Sequence, residues 1–155
     1  RGFFFFAFTV RFLGVAGVGG ILDLISPLEQ QGILVKRSRE LLETETSRFM
    51  VVVHPEGTLL GCAALYPIAD SLAGELACVA THPEFHNQGI ASRLLKCIEK
   101  DATDNGLERL FVLTTQTAHW FREQGFAEAA LSDLPAEKKS LYNYQRQSRI
   151  FSKSL

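Results

Sequence analysis

The stretch Gly74–Leu95, GELACVATHPEFHNQGIASRLL, decides how the rest of the chain is read. Its first half, Glu75 to Thr81, is an apolar run that reads as a strand and stops at the turn pair His82-Pro83. Its second half brings Gly89 to the head of a run in which Ile90, Leu94, Leu95 and Ile98 fall on one helical face, with Gly106 placed to cap the helix C-terminus. A strand thus feeds a turn, a glycine-bearing loop and a helix. The first amides of a helix lack intrahelical partners and lie at the positive end of its dipole, which suits a phosphate. Gly89 lets the backbone approach a ligand closely. On pattern alone, one glycine ahead of a helix fits an ordinary strand-to-helix turn equally well.

Working outward from this stretch, the flanking segments alternate in period. Phe49 to Val53 and Thr58 to Tyr66 read as strands, joined as a hairpin by the turn signal His54-Pro55-Glu56-Gly57. Upstream, Ile21, Leu24, Ile25 and Leu28 place a helix over Val18 to Gln31, which Pro27 is expected to bend or end near Ser26. Ser38 is positioned to cap a second helix over Arg39 to Ser47, with Glu40 in its first turn. Downstream come a strand over Arg109 to Thr115, a short helix over Thr117 to Gln124 stopped by Gly125, and strands over Phe126 to Leu131 and Tyr142 to Phe151. The order is strand, two helices, three strands, helix, strand, helix, two strands. That order describes a mixed α/β (α+β) sheet with helices on its faces.

The chain has 155 residues, of which 46% are apolar and 21% charged. Those proportions suit one globular domain with a sizeable core and exclude a disordered chain. Sixteen Lys and Arg against seventeen Asp and Glu leave a net charge of −1, which argues against a protein that coats nucleic acid or anionic membrane. The basic stretch Glu137 to Lys153 carries Lys138, Lys139, Arg146, Arg149 and Lys153 but no aromatic-basic RNA motif. Three cysteines, Cys62, Cys78 and Cys97, form no CxxC pair and cannot close a disulfide framework, so a reducing, cytoplasmic setting is expected. The start, RGFFFFAFTVRFLGVAGVGG, holds six of the twelve phenylalanines and no acidic residue. Arg11 interrupts it too early for a membrane span, and no A-x-A cleavage site follows. It reads as a buried edge strand within residues 1–18, or as an uncertain segment, ahead of a domain over 19–155. With no initiating Met, the chain reads as a fragment.

The loop His86-Asn87-Gln88-Gly89-Ile90-Ala91 resembles the coenzyme A loop, R/Q-x-x-G-x-G/A, of the GNAT acetyltransferase superfamily, with His at the first position. Trp120-Phe121-Arg122-Glu123-Gln124-Gly125-Phe126 resembles the family's second signature, F-Y-x-x-x-G-F. The segments PLEQQGILVKRSRELLE, CAALYP, GELACVATHP, RLFVLTT, HWFREQGF and LYNYQRQSRI are similar, in order, to the acetyltransferase domains of the bacterial N-acetylglutamate synthase family. The similarity covers Ile21 to about Phe151.

The resemblance implies a GNAT fold and transfer of acetyl from acetyl-CoA to the α-amine of L-glutamate, the first step of arginine biosynthesis. Acetyltransfer to another small amine and a non-catalytic acyl-CoA-sensing domain are the alternatives. It implies a general base at Glu75; the residues alone allow a solvated carboxylate there. Cys78 could be a nucleophile, but the resemblance implies direct attack by the amine. Backbone amides of Cys78, Val79 and Ala80 would then hold the oxyanion and the pantetheine, and the His86–Ala91 loop the pyrophosphate. Phe121 cannot donate a proton where many relatives carry Tyr. Thr114 is either a hydroxyl that stabilises the departing thiolate or a plain strand residue. Arg37, Arg146 and Ser148 are implied to bind the dicarboxylate, with Lys36 as the neighbour to weigh against Arg37. His82 and His86 have i, i+4 spacing, but Pro83 opposes a helix and no third ligand is evident, so no metal is expected. Implied partners are L-glutamate and either a homo-oligomeric copy or an upstream amino-acid-kinase-like domain outside this chain, with neither nucleic acid nor membrane.

Overall fold

The computed structural model describes residues 8–34, 36–86, 88–114, 118–135 and 149–155. Its strands are β1 (Thr9–Phe12), β2 (Phe49–Val53), β3 (Leu59–Pro67), β4 (Ala73–Thr81), β5 (Arg109–Thr114), β6 (Ala127–Ala129) and β7 (Arg149–Ser154). They form one seven-stranded sheet in the order β1-β2-β3-β4-β5-β7-β6. The pairing is antiparallel except where β4 runs parallel to β5, so the sheet is mixed, as the alternation of periods predicts. The helices are α1 (Val18–Gln30), α2 (Arg39–Thr44), α3 (Ile90–Asp104) and α4 (Ala118–Glu123).

The chain divides into two compact units, to both of which β3 and β4 contribute. The first comprises residues up to Ala64 together with Cys78–Ile98. Within it, α1 buries Val18, Ile21, Leu24 and Ile25, and α2 buries Leu42. β2 is buried along its whole length, which is why its five residues are all apolar rather than alternating. The β2–β3 hairpin closes with the His54 amide donating to the Thr58 carbonyl at 2.8 Å, and Gly57 supplies the positive φ that the turn requires. The second unit comprises Leu65–Ala77 and Glu99–Leu155. Its core gathers Ile68, Ala73, Phe111, Leu134 and Ile150. Phe121 packs edge-on against both Trp120 and Phe126, and a Lys153–Glu99 ion pair of 2.7 Å, three-quarters buried, ties β7 to α3.

Two expectations need correction, and a third had two alternatives of which one is removed. Pro27, expected to bend or end the helix near Ser26, does not end α1, which continues to Gln30. A helix-interior Pro costs about 3 kcal/mol, whereas each buried apolar side chain of α1 contributes about 1.5–3 kcal/mol, so burial of the apolar face outweighs the missing bond. The helix over Arg39 to Ser47 stops at Thr44 and passes into a 3₁₀ turn, although Ser38 caps it as expected by accepting from the Leu41 amide at 3.1 Å. The N-terminal edge strand pairs with β2 but is not buried: Phe12 is 50% exposed. Residues 1–7 and 136–148 lie outside the described set, so only the Arg149–Ser154 part of the last strand is seen, and it runs past Phe151.

Candidate active site

β4 is not a regular strand. Cys78, in its middle and 2% exposed, has φ of +55°, a left-handed conformation that costs a non-glycine residue about 1–3 kcal/mol. The hairpin bonds locate the irregularity. The Ile68 amide donates to the Ala73 carbonyl at 2.9 Å, and the His82 amide to the Leu60 carbonyl at 2.7 Å. Between those two bonds β3 steps eight residues and β4 nine, so β4 carries one extra residue, a β-bulge. Nothing in the sequence signals it, because cysteine has no left-handed preference; only the strand register exposes it.

Around this bulge, within the first unit, lie several of the expected residues. The Cys62 thiol donates to the Cys78 carbonyl at 3.2 Å. Burial pushes the Cys62 thiol pKa far above its usual range, reinforced by neighbouring Cys78, while the Ala80 amide and the positive charge of Arg37 pull weakly the other way. Arg37 is half-buried, and its backbone amide donates to the Glu29 carboxylate at 2.8 Å, so α1 fixes the approach to α2. Glu29 was not singled out by sequence reasoning, and its place on the half-buried face of α1 is the only signal for it. Lys36 is exposed.

After β4 the chain turns through a 3₁₀ segment, Pro83–Phe85, and reaches the glycine loop. His82 and His86 sit in extended backbone on either side of that turn, not on a helix. His82 Nδ1 accepts from the Glu84 amide, and His86 Nδ1 lies 3.2 Å from the Thr81 hydroxyl. Gln88 and Gly89 are exposed, and Gly89 has φ of +75°. That exposed, left-handed backbone directly before the α3 N-terminus fits a phosphate cradle. Ile90 is 3% exposed, so its side chain anchors the helix and leaves only its backbone for a ligand. Ala91 is half-buried behind it. Asn87 lies outside the described residues.

In the second unit, Glu75 is half-buried on β4 and stands opposite Phe111 of β5. Thr114 closes β5 three residues further on and is the one buried polar side chain among the described residues. By alternation, Glu75 shares the face of Phe111 and Thr114 lies on the other face. Phe121, on α4, is 4% exposed and belongs to the core. Arg146 and Ser148 fall outside the described residues. Among the described residues, no group of three His, Cys, Asp or Glu side chains is placed to hold a metal, and no helix is long and apolar enough to cross a membrane.

Comparison with known proteins places the fold in a family. Residues 20–130 match the model of the acetyltransferase (GNAT) family. The amino-acid acetyltransferase of Pseudomonas putida is 60% identical over 95% of this chain and 34% of its own length, so the chain spans about a third of that relative. N-acetylglutamate synthase from Neisseria gonorrhoeae, solved with coenzyme A and N-acetyl-glutamate, superposes with a TM-score of 0.91 at 40% identity, over 96% of this chain and 35% of the other. Rv2747 from Mycobacterium tuberculosis, solved in complex with CoA, superposes with a TM-score of 0.81 at 25% identity over 95% of this chain and 99% of its own. The chain belongs to the GNAT family of acetyltransferases.

Proposed function

We propose that this chain is an acetyl-CoA-dependent amino-acid N-acetyltransferase domain that acetylates the α-amine of L-glutamate, the reaction that opens arginine biosynthesis. The observation that carries the reading is the left-handed bulge at Cys78, flanked three residues upstream by Glu75 and followed by the exposed Gly89 backbone at the head of α3. The similarity to proteins named amino-acid acetyltransferase and N-acetylglutamate synthase supports the choice of substrate.

Each residue takes a defined task in this reading. The amides of Gln88 to Ala91, with Asn87 and His86 beside them, bind the pyrophosphate of acetyl-CoA. Backbone amides from Cys78 to Ala80 bind the pantetheine and the thioester oxygen, where negative charge develops in the tetrahedral intermediate. Glu75, directly or through water, takes the proton from the glutamate ammonium, and the free amine attacks the thioester carbonyl. The Thr114 hydroxyl donates a hydrogen bond to the departing thiolate. Arg37, Arg146 and Ser148 bind the two carboxylates. A guanidinium suits this task because it stays charged and pairs bidentately.

The test is thiol release from acetyl-CoA by the purified chain over a panel of amino acids. Glutamate is expected to react far faster than glutamine, which lacks the side-chain carboxylate. Arg37→Ala is expected to remove about 1.5–3 kcal/mol of charge-assisted hydrogen bonding, roughly ten- to a hundredfold in kcat/KM for glutamate. Equal rates with glutamate and glutamine would reject the dicarboxylate reading while leaving acetyl transfer intact.

A further inference from the structure

Thr81 ends β4, and the chain beyond it is pinned before it reaches the glycine loop. The His82 amide donates to the Leu60 carbonyl of β3 at 2.7 Å, which fixes the end of the strand. The Pro83–Phe85 turn then folds the chain back. The Phe85 amide donates to the His82 carbonyl at 2.9 Å, and His82 Nδ1 accepts from the Glu84 amide at 3.1 Å. The Phe85 ring packs edge-on against His82 at 5.4 Å and against Phe8 at 6.2 Å. Five residues of extended backbone would carry His86 about 16 Å from Thr81. The turn instead leaves the Thr81 hydroxyl 3.2 Å from His86 Nδ1. His86 is exposed and stands three residues ahead of the left-handed Gly89. The other ring nitrogen, Nε2, faces away from the Thr81 contact.

We propose that Thr81 is a positioning residue for the pyrophosphate of acetyl-CoA, holding His86 by Nδ1 so that the ring offers its Nε2–H to a phosphate oxygen. The inference rests on the acetyl-CoA reading above. A hydroxyl suits this task because it both donates and accepts. Against the neutral ring it donates to Nδ1, which puts the ring proton on Nε2. Against the imidazolium it accepts from Nδ1–H, and Nε2 again carries a proton. The remaining neutral form, protonated at Nδ1, turns a lone pair toward the phosphate, so a bound anion disfavours it. A ring held in this way also loses less rotamer entropy on meeting the anion than a free one. Thr81 itself touches no part of acetyl-CoA in this arrangement and acts only through the imidazole.

Calorimetric titration of the full chain with acetyl-CoA compares Thr81→Val, Thr81→Ser, His86→Ala and the Thr81→Val, His86→Ala double variant. Valine keeps the β-branched shape that suits a strand and removes the hydroxyl, whereas serine keeps the hydroxyl. Thr81→Ala repeats the valine test with a smaller side chain, so a misfolded valine variant does not decide the outcome. Thr81→Val is expected to weaken affinity about three- to tenfold, the loss of one hydrogen bond. His86→Ala is expected to weaken it about ten- to a hundredfold, the loss of a charge-assisted one. Thr81→Ser is expected to stay within about twofold of the parent. In the His86→Ala background, Thr81→Val is expected to cost nothing further, because its only route to the ligand is gone. Unchanged affinity in both hydroxyl-free variants, a serine variant as weak as valine, or an undiminished valine loss in the His86→Ala background would overturn the proposal. A parent that binds acetyl-CoA but releases no thiol with any amino acid removes the transfer reading alone, and the same affinities still decide the task of Thr81. A parent that binds no acetyl-CoA overturns both.

Discussion

Gly61 of β3 lies beneath Ile90 of α3: a Cβ at position 61 would come within 2.7 Å of Ile90 Cγ2 and 3.2 Å of Leu94 Cδ1, with the Ala80 carbonyl at 3.3 Å. The absent side chain lets the first turn of α3 settle on the sheet, and that turn carries the glycine loop. Gly61→Ala is expected to destabilise the chain by about 1–3 kcal/mol through overpacking, measured by urea denaturation. Combining it with Ile90→Ala should recover part of the loss, since the two changes share one contact. Purely additive losses would show that the helix does not bear on this glycine.

Gly89 carries the loop's left-handed residue. Gly89→Asp adds a side chain and a negative charge where the backbone is proposed to meet pyrophosphate. Calorimetric titration with acetyl-CoA is expected to show at least a tenfold weaker affinity in a variant whose circular dichroism matches the parent. Unchanged affinity in the folded variant would remove the phosphate cradle from this loop.

Glu75→Gln keeps the shape of the side chain and removes its basicity. General-base catalysis contributes about 10²–10⁴-fold, so kcat at neutral pH is expected to fall by that order with the KM for acetyl-CoA little changed. The deficit should shrink as pH rises, because the substrate amine then arrives already deprotonated. A pH-independent deficit would assign Glu75 a structural task.

The Cys62 thiol also sets an alkaline limit on stability. Its folded-state pKa is raised by burial above the ordinary value of 9.0. Below about pH 9 the thiol is protonated in both folded and unfolded chains and contributes no slope. Above that, the unfolded chain releases the proton while the folded one retains it, so stability falls as pH rises. One such group costs about 1.4 kcal/mol per pH unit. Urea denaturation of the parent is therefore expected to lose about 1.6 kcal/mol more between pH 9 and 10.5 than that of Cys62→Ser. Parallel profiles would mean that the thiol ionises equally in both states.

The sequence alone determined the order of the elements, the Ser38 cap, the β2–β3 hairpin turn and the glycine loop ahead of α3. These are local features, written in hydrophobic period and turn chemistry within a few residues of where they act. Similarity of motifs named the family, because several short segments match in order. Tertiary structure decided the rest. Pro27 sits inside a helix because distant apolar partners outweigh one lost bond, and Phe12 is exposed because strand order puts β1 at the sheet edge. The bulge at Cys78 depends on β4 having one more residue than β3 between two cross-strand bonds. The Cys62–Cys78 bond and the Glu29–Arg37 bond join residues 16 and 8 positions apart. Pairing register and side-chain reach set such relationships, and neither exists until the strands and helices have packed.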